Sequence, residues 1–395
     1  MLNLAQLRAD TPGVDHRLHL NNAGASLMPR SVLEVMQEYL KRESEIGGYE
    51  TADEREDVIA ASYYEIAVLI GTKPENVAVV ANATAGFVQA MSSFDFAAGD
   101  TIITSRCDYT SNQIQYASLT ARLGVRIEHA ADLPEGGIDP DDVKRLIQQR
   151  RPRVVAVSWI PTNSGLVQDV DAVGRICEEF DVPFIVDACQ AVGQIPIDLS
   201  TFRCDYLSAT ARKFMRGPRG IGFLYASDKA LSRGDHPLYV DMRGARWTGV
   251  NQYKVAATAR RYEDWEFPYA QVVGQGEAAR YTRAVGVEAA RDRAWELARV
   301  LRERLESLPD VEVLDRGRTK CAIVTAYSKS VPADRIVKEL TRRGINTVLT
   351  LREYGILDFD AKGVSAAVRV SPHYYNIDSE IETFLGAMEE ILTSA

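Results

Sequence analysis

The stretch Val182-Pro183-Phe184-Ile185-Val186-Asp187-Ala188-Cys189-Gln190 reads as a short apolar strand that ends on a carboxylate. Further along, Ala209-Thr210-Ala211-Arg212-Lys213-Phe214-Met215-Arg216-Gly217-Pro218-Arg219-Gly220 frames a lysine with small, hydroxyl and basic residues. A strand that delivers an aspartate, followed by a lysine in such a frame, is what a pyridoxal phosphate (PLP) site needs. The lysine forms a Schiff base with the cofactor, and the aspartate keeps the pyridine nitrogen protonated. Gln190, three residues past Asp187, is placed to donate to the phenolic oxygen.

Outward from this pair, short β runs alternate with helical stretches. Strands are expected at 77–80, 101–104, 154–160, 183–187, 206–208 and 222–225, with helices at 85–94, 112–123 and 170–180 between them. Alternation of this kind argues for an α/β fold with a mostly parallel sheet and helices on both faces. Residues at the carboxyl ends of such strands carry the chemistry, and Asp187 sits at one of those ends. Residues 228–275 are less regular. A long helical pattern then runs from about 277 to 308, followed by strands at 311–314, 322–327, 346–351 and 366–370 and helices at 333–343 and 379–392. The expected division is a large cofactor-binding domain over 16–275 and a smaller α+β domain from 1–15 and 276–395.

The bulk numbers bound the rest. The chain has 395 residues, 46% hydrophobic and 26% charged, which suits a globular protein of about two domains. A formal net charge of −9 without a basic stripe argues against a nucleic-acid partner. Arg150, Arg151 and Arg153 read as a solvated helix end. Residues 1–8 read as a short amphipathic helix, not a signal peptide. No run of about 18 apolar residues exists, so no membrane span is expected. The five cysteines are scattered and form no CxxC pair, so neither a metal site nor a disulfide framework is expected, and a reducing cytoplasm is the default.

Other candidate residues follow from the chemistry. Lys213 must be partly neutral to attack a carbonyl, so its pKa must fall by desolvation or by a neighbouring cation. Arg212 is that neighbour in sequence, or else points at the cofactor phosphate. In Asn82-Ala83-Thr84-Ala85-Gly86 a strand passes into a helix; the backbone N–H groups and the Thr84 hydroxyl there suit a phosphate ester, although a plain helix cap reads equally well. Thr210 offers a second hydroxyl. Tyr109, in Cys107-Asp108-Tyr109-Thr110-Ser111-Asn112, is placed to stack on the pyridine ring, worth roughly 1 kcal/mol beyond burial, or is a packed loop tyrosine. Cys107 and Cys189 read as inert packing.

Together, Asn21-Asn22-Ala23-Gly24, Thr84, Tyr109, Asp187-x-x-Gln190, Thr210-x-Arg212-Lys213 and Arg369 resemble the class V aminotransferase family of fold-type I PLP enzymes. That family includes cysteine desulfurases, isopenicillin epimerases and cysteine C–S lyases. The resemblance covers nearly the whole chain. It implies a seven-stranded central sheet and a homodimer with its active sites at the subunit interface. Thr84, Ala85, Tyr109, Asp187, Gln190, Thr210 and Arg212 are then expected around the cofactor. Asn22, Ala23, Thr162, Asn163 and Arg369 are expected around the substrate, with Arg369 on its α-carboxylate. An arginine fork fits a carboxylate bidentately. A lone arginine in the apolar strand Ala366–Val370 is costly to bury unless something pairs it.

One departure shapes the expected reaction. Desulfurases that pass on a persulfide carry a nucleophilic cysteine on the loop before the carboxylate arginine. Here that loop, 351–360, contains none. The expectation is therefore β-elimination on an S-substituted cysteine conjugate, with Lys213 removing the α-proton and a thiol leaving. Transamination, epimerisation and decarboxylation-coupled oxidative deamination are the alternatives, and a persulfide-type desulfurase is disfavoured. Tyr354, Trp247, Tyr49 and Arg352 are candidates for the side-chain pocket by loop position alone. A dinucleotide-binding protein is not expected, because no GxGxxG opens the first helix.

Overall fold

Both faces of the central sheet must be apolar, and the sequence supplies this with β-branched runs that alternate in direction. The computed structural model, which describes residues 2–394, contains a sheet of seven strands. They are β1 (Val77–Val80), β2 (Thr101–Thr104), β3 (Arg126–His129), β4 (Val154–Ser158), β5 (Phe184–Asp187), β6 (Tyr206–Thr210) and β7 (Gly222–Ala226). Their spatial order is β1-β7-β6-β5-β4-β2-β3. All pairs are parallel except those made by β7, which runs antiparallel to β1 and β6.

The period of two sorts the strand residues between two cores. Val77, Val79, Val155, Val157, Phe184 and Val186 join a large cluster that includes Ile66, Leu146, Val173 and Val272. Ala78, Val80, Val154, Ala156 and Ile185 join a smaller one with Phe87, Met91 and Tyr116. The second cluster is roofed by the helices Ala83–Met91 and Thr110–Leu123.

After β7 comes an exposed hairpin, β8 (Ala245–Gly249) and β9 (Gln252–Val255). A four-stranded antiparallel sheet follows, from β10 (Val311–Val313), β11 (Val324–Ser328), β12 (Val348–Leu351) and β13 (Ala366–Val370), ordered β10-β11-β13-β12. The long helical run breaks in two, Tyr269–Val285 and Val287–Glu306, at Gly286, whose φ of +88° suits glycine. The expected boundary at 275/276 falls inside the first of these helices. The N-terminal helix Leu4–Ala9 packs on the C-terminal part of the chain through Arg8 and Glu380. Met1 and Ala395, the ends of the expected smaller domain, lie outside the described residues. Among the described residues no helix is long and apolar enough to cross a membrane.

Candidate active site

β5 ends on Asp187 in register with Ser158 of β4 and Ser208 of β6, so the carboxylate sits at the carboxyl edge of the sheet. Asp187 is 6% exposed. Its Oδ1 accepts the Cys189 N–H at 3.0 Å, and its Oδ2 accepts the Asn112 side-chain amide at 3.4 Å. Lys213 follows β6 in a turn that Arg216 closes by donating its N–H to the Lys213 carbonyl. Burial holds the Lys213 ammonium below the ordinary lysine value; Cys189 and Asp187 oppose that shift, and Arg212 and Arg369 add to it. The Tyr109 ring centroid is 6.0 Å from Lys213 Nζ.

These groups line one cavity of about 460 Å³, within the roughly 300–1,000 Å³ typical of ligand pockets. At one end stand Asn82, Ala83, Thr84, Thr210 and Arg212. Gly222, at the start of β7, lies so close behind that a Cβ there would sit 2.4 Å from the Ala209 carbonyl and 3.1 Å from the Ala83 nitrogen. Ala83 and Thr84 face the cavity. Ala85, expected around the cofactor, does not line it, and its N–H is taken by the Asn82 side chain at 2.9 Å. Arg212 donates to the Gly24 carbonyl. Arg219, on the same wall, was missed by sequence reasoning although it belongs to the quoted lysine segment. Gln190 also departs from expectation. Its amide nitrogen donates to the Ala23 carbonyl at 3.0 Å, so the buried atom left without a partner is its oxygen, an acceptor.

Arg369 projects from β13, is 7% exposed, and meets Thr162 of this cavity. It donates to the Thr162 carbonyl at 2.7 Å, the Thr162 hydroxyl at 2.9 Å and the Asn21 side-chain oxygen at 3.2 Å. Its buried Nε has no acceptor, and no salt bridge reaches it among the described residues. Burial, with a smaller push from Arg212, lowers its pKa to about 10. A second hollow of about 340 Å³ opens beside it, sharing Tyr109 and Thr162 with the first and lined also by Val348, Thr350 and Tyr354.

Three residues expected at the substrate make hydrogen bonds within the chain. Asn22 is fully buried; its amide donates to the Ser371 carbonyl at 2.8 Å and accepts from the Tyr375 hydroxyl. Ala23 donates its N–H to the Ser371 hydroxyl at 2.9 Å. Asn163 turns away to Asp358, 2.9 Å. Their neighbours Asn21 and Thr162 are the residues that touch Arg369. Of the side-chain pocket candidates, Tyr354 lines the second hollow. Arg352 pairs with Asp360, while Trp247 and Tyr49 are 78% and 69% exposed on the surface. Cys189 lines the cofactor cavity with its thiol pKa raised by burial and then by Asp187, and Cys107 is buried against Asp358, 3.7 Å from it.

The family described as Aminotransferase class-V matches residues 18–384. The chain belongs to that family. A probable cysteine desulfurase of Pyrococcus abyssi is 24% identical over 397 residues, covering 98% of this chain and 97% of the relative. Two solved structures share the fold. One is a cysteine desulfurase from Thermococcus onnurineus (TM-score 0.91, 23% identity, 100% and 99% of the two chains). The other is a lysine-to-alanine variant of C-DES with glycine covalently linked to its PLP cofactor (TM-score 0.86, 21% identity, 97% and 99%). The chain is a PLP-dependent enzyme, and its residues fit that cofactor. A strand-end aspartate, a helix start with hydroxyls, and the lysine line the same cavity.

The relatives correct the reaction expected from the sequence. β-Elimination on a cysteine conjugate, its alternatives and the reasoning against a desulfurase are overturned, because proteins named cysteine desulfurases align along nearly the whole chain. The cysteine-free loop says only where a thiol is not.

Proposed function

We propose that this family member is a cysteine desulfurase. The carbon–sulfur bond of cysteine breaks, the β-carbon gains a proton so that alanine leaves, and the sulfur passes to an acceptor thiol as a persulfide. When bound, PLP supplies an electron sink for the charge that develops at the substrate α-carbon. The chain's own residues do the rest. Asp187 would hold the cofactor nitrogen, Thr84, Thr210 and Arg212 would hold its phosphate, and Tyr109 would cover the ring. Lys213 Nζ takes the α-proton, and burial, which holds its pKa below the ordinary lysine value, favours the neutral amine that this step needs.

The observation that carries the reading is Arg369, a buried guanidinium with an unpaired Nε and no carboxylate of its own. A small α-amino acid supplies that missing anion. The test is to incubate the purified holoenzyme with L-cysteine and dithiothreitol and to measure alanine, sulfide and pyruvate. Alanine and sulfide in equal amounts are expected; pyruvate in place of alanine, or no alanine, contradicts the proposal.

The reading extends to a cytoplasmic homodimer. Five unpaired cysteines fit a reducing compartment. Leu238, Tyr239, Met242, Trp247 and Val250 stand exposed around the β8–β9 hairpin, an apolar surface that suits a second copy. Light scattering should give twice the chain mass of 43.7 kDa, and a monomer would remove this part of the proposal.

A further inference from the structure

Behind the cofactor wall lies a buried carboxylate that touches neither cavity. Asp108 is 5% exposed and sits just past β2. Its Oδ2 accepts from the Thr104 hydroxyl at 2.8 Å and the Tyr116 hydroxyl at 2.8 Å. Its Oδ1 accepts from the Ser158 hydroxyl, the Tyr109 N–H at 2.8 Å and the Asn112 side-chain amide at 3.2 Å. Every partner is a donor and none is a cation, a set that only an acceptor-rich carboxylate satisfies.

Two of these partners act on the cofactor cavity. The Tyr109 N–H is shared between Asp108 Oδ1 and the Ser158 oxygen at 3.0 Å, which fixes the backbone that carries the Tyr109 ring toward Lys213. The Asn112 nitrogen has two hydrogens, one for Asp108 and one for Asp187 Oδ2 at 3.4 Å. Asn112 thus bridges two buried carboxylates, donating to both. A donor on Asp187 Oδ2 leaves the carboxylate's orientation little freedom. Asn112 and Tyr116, four residues apart, lie on one side of the first turns of the helix Thr110–Leu123, and Asp108 stands just before its N-cap, Tyr109.

We infer that Asp108 and Asn112 are positioning residues for the cofactor, setting through two hydrogen-bond routes the ring of Tyr109 and the carboxylate of Asp187. The inference rests on the PLP site of the proposed function and not on which bond of the substrate breaks. Its test therefore reads cofactor binding without substrate. Groups that orient a ligating residue typically cost roughly tenfold or more in ligand affinity when removed.

The experiment titrates PLP into the cofactor-depleted full-length chain, for the parent and for Asn112→Ala, following the visible absorbance band. Thermal unfolding of the depleted chain is measured in parallel. The expected result is a dissociation constant at least about tenfold higher and a displaced band, with the unfolding midpoint of the depleted chain near that of the parent. If the affinity and band match the parent, the inference fails. Should Asn112→Ala not fold, Tyr116→Phe removes one donor from the far side of Asp108 and carries the same comparison. A Tyr116→Phe chain with lowered stability but unchanged affinity and band overturns the inference. A parent chain that binds no PLP removes the underlying site, an outcome distinct from both.

Discussion

Burying Arg369 costs free energy unless something anionic reaches it, and Thr162 and Asn21 offer only neutral oxygens. A substrate carboxylate completes the set with charge-assisted hydrogen bonds worth about 1.5–3 kcal/mol each. Arg369→Ala should therefore lower kcat/KM for cysteine by on the order of 10²–10³-fold. Arg369→Lys should recover only part, because a point charge lacks the fork. Steady-state kinetics check this, and a loss under threefold in the alanine variant would place the carboxylate elsewhere. Asp187 and Arg369 stood out in the sequence as charges closing or interrupting an apolar strand, and Lys213 through the small, hydroxyl and basic residues that frame it. The internal partners of Asn22 and Asn163 were not legible. Adjacent polar residues differ in role only through the direction of their side chains, and here Ser371, Tyr375 and Asp358 set that direction from distant parts of the chain.

Close approach of β7 to the start of the helix Ala83–Met91 is what shapes the end of the cavity proposed for the phosphate. Gly222 permits it, with Ala209 and Ala83 backbone atoms where a Cβ would stand. Gly222→Ala should cost about 1–3 kcal/mol of stability through overpacking. It should also weaken PLP binding, since Ala83 and Thr84 must shift. Urea unfolding and a PLP titration measure the two effects, and an unchanged affinity would separate that helix from the phosphate. Six of the seven central strands were readable from their apolar runs, to within a residue or two, whereas β3 (Arg126–His129), with a single β-branched residue, was not. The elements left unread were those without that signal. The helices Arg30–Ile46 and Glu56–Leu69 gave no assignment, and the β8–β9 hairpin, whose residues are nearly all exposed, has no apolar alternation to reveal it.

On the scale of the molecule, the Lys213 turn is tied to both chain ends. Arg216 is buried, stacks 4.5 Å from the Tyr375 ring centroid, and donates to the Thr11 hydroxyl, the Leu27 carbonyl and the Tyr374 hydroxyl. His373 reaches the Phe214 carbonyl with Nε2 at 3.0 Å and accepts the Tyr374 N–H on Nδ1 at 2.8 Å, so it is held neutral. Burial, followed by the charge of Arg216, pushes its pKa well below 6.5, while the Phe214 carbonyl opposes the shift and His19 adds to it. The unfolded chain then binds a proton first as the pH falls through 6.5. Stability from this group is full above that value and is lost below it. His19, also lowered by burial, adds in the same direction. Urea midpoints should fall from pH 7 to pH 5 in the parent. His373→Gln should be less stable at pH 7 but show a shallower decline, and equal declines would contradict the assignment. None of these long-range ties was legible, because residues 11, 216 and 374 meet only in three dimensions.

The central claim is that PLP is carried on Lys213. Borohydride reduction of the purified holoenzyme fixes the cofactor to whichever lysine holds it, and peptide mapping by mass spectrometry then finds the modified residue. The account predicts one phosphopyridoxyl group per chain, on Lys213, and none in a Lys213→Ala variant. A modification on another lysine, or unaltered labelling of the variant, would contradict it.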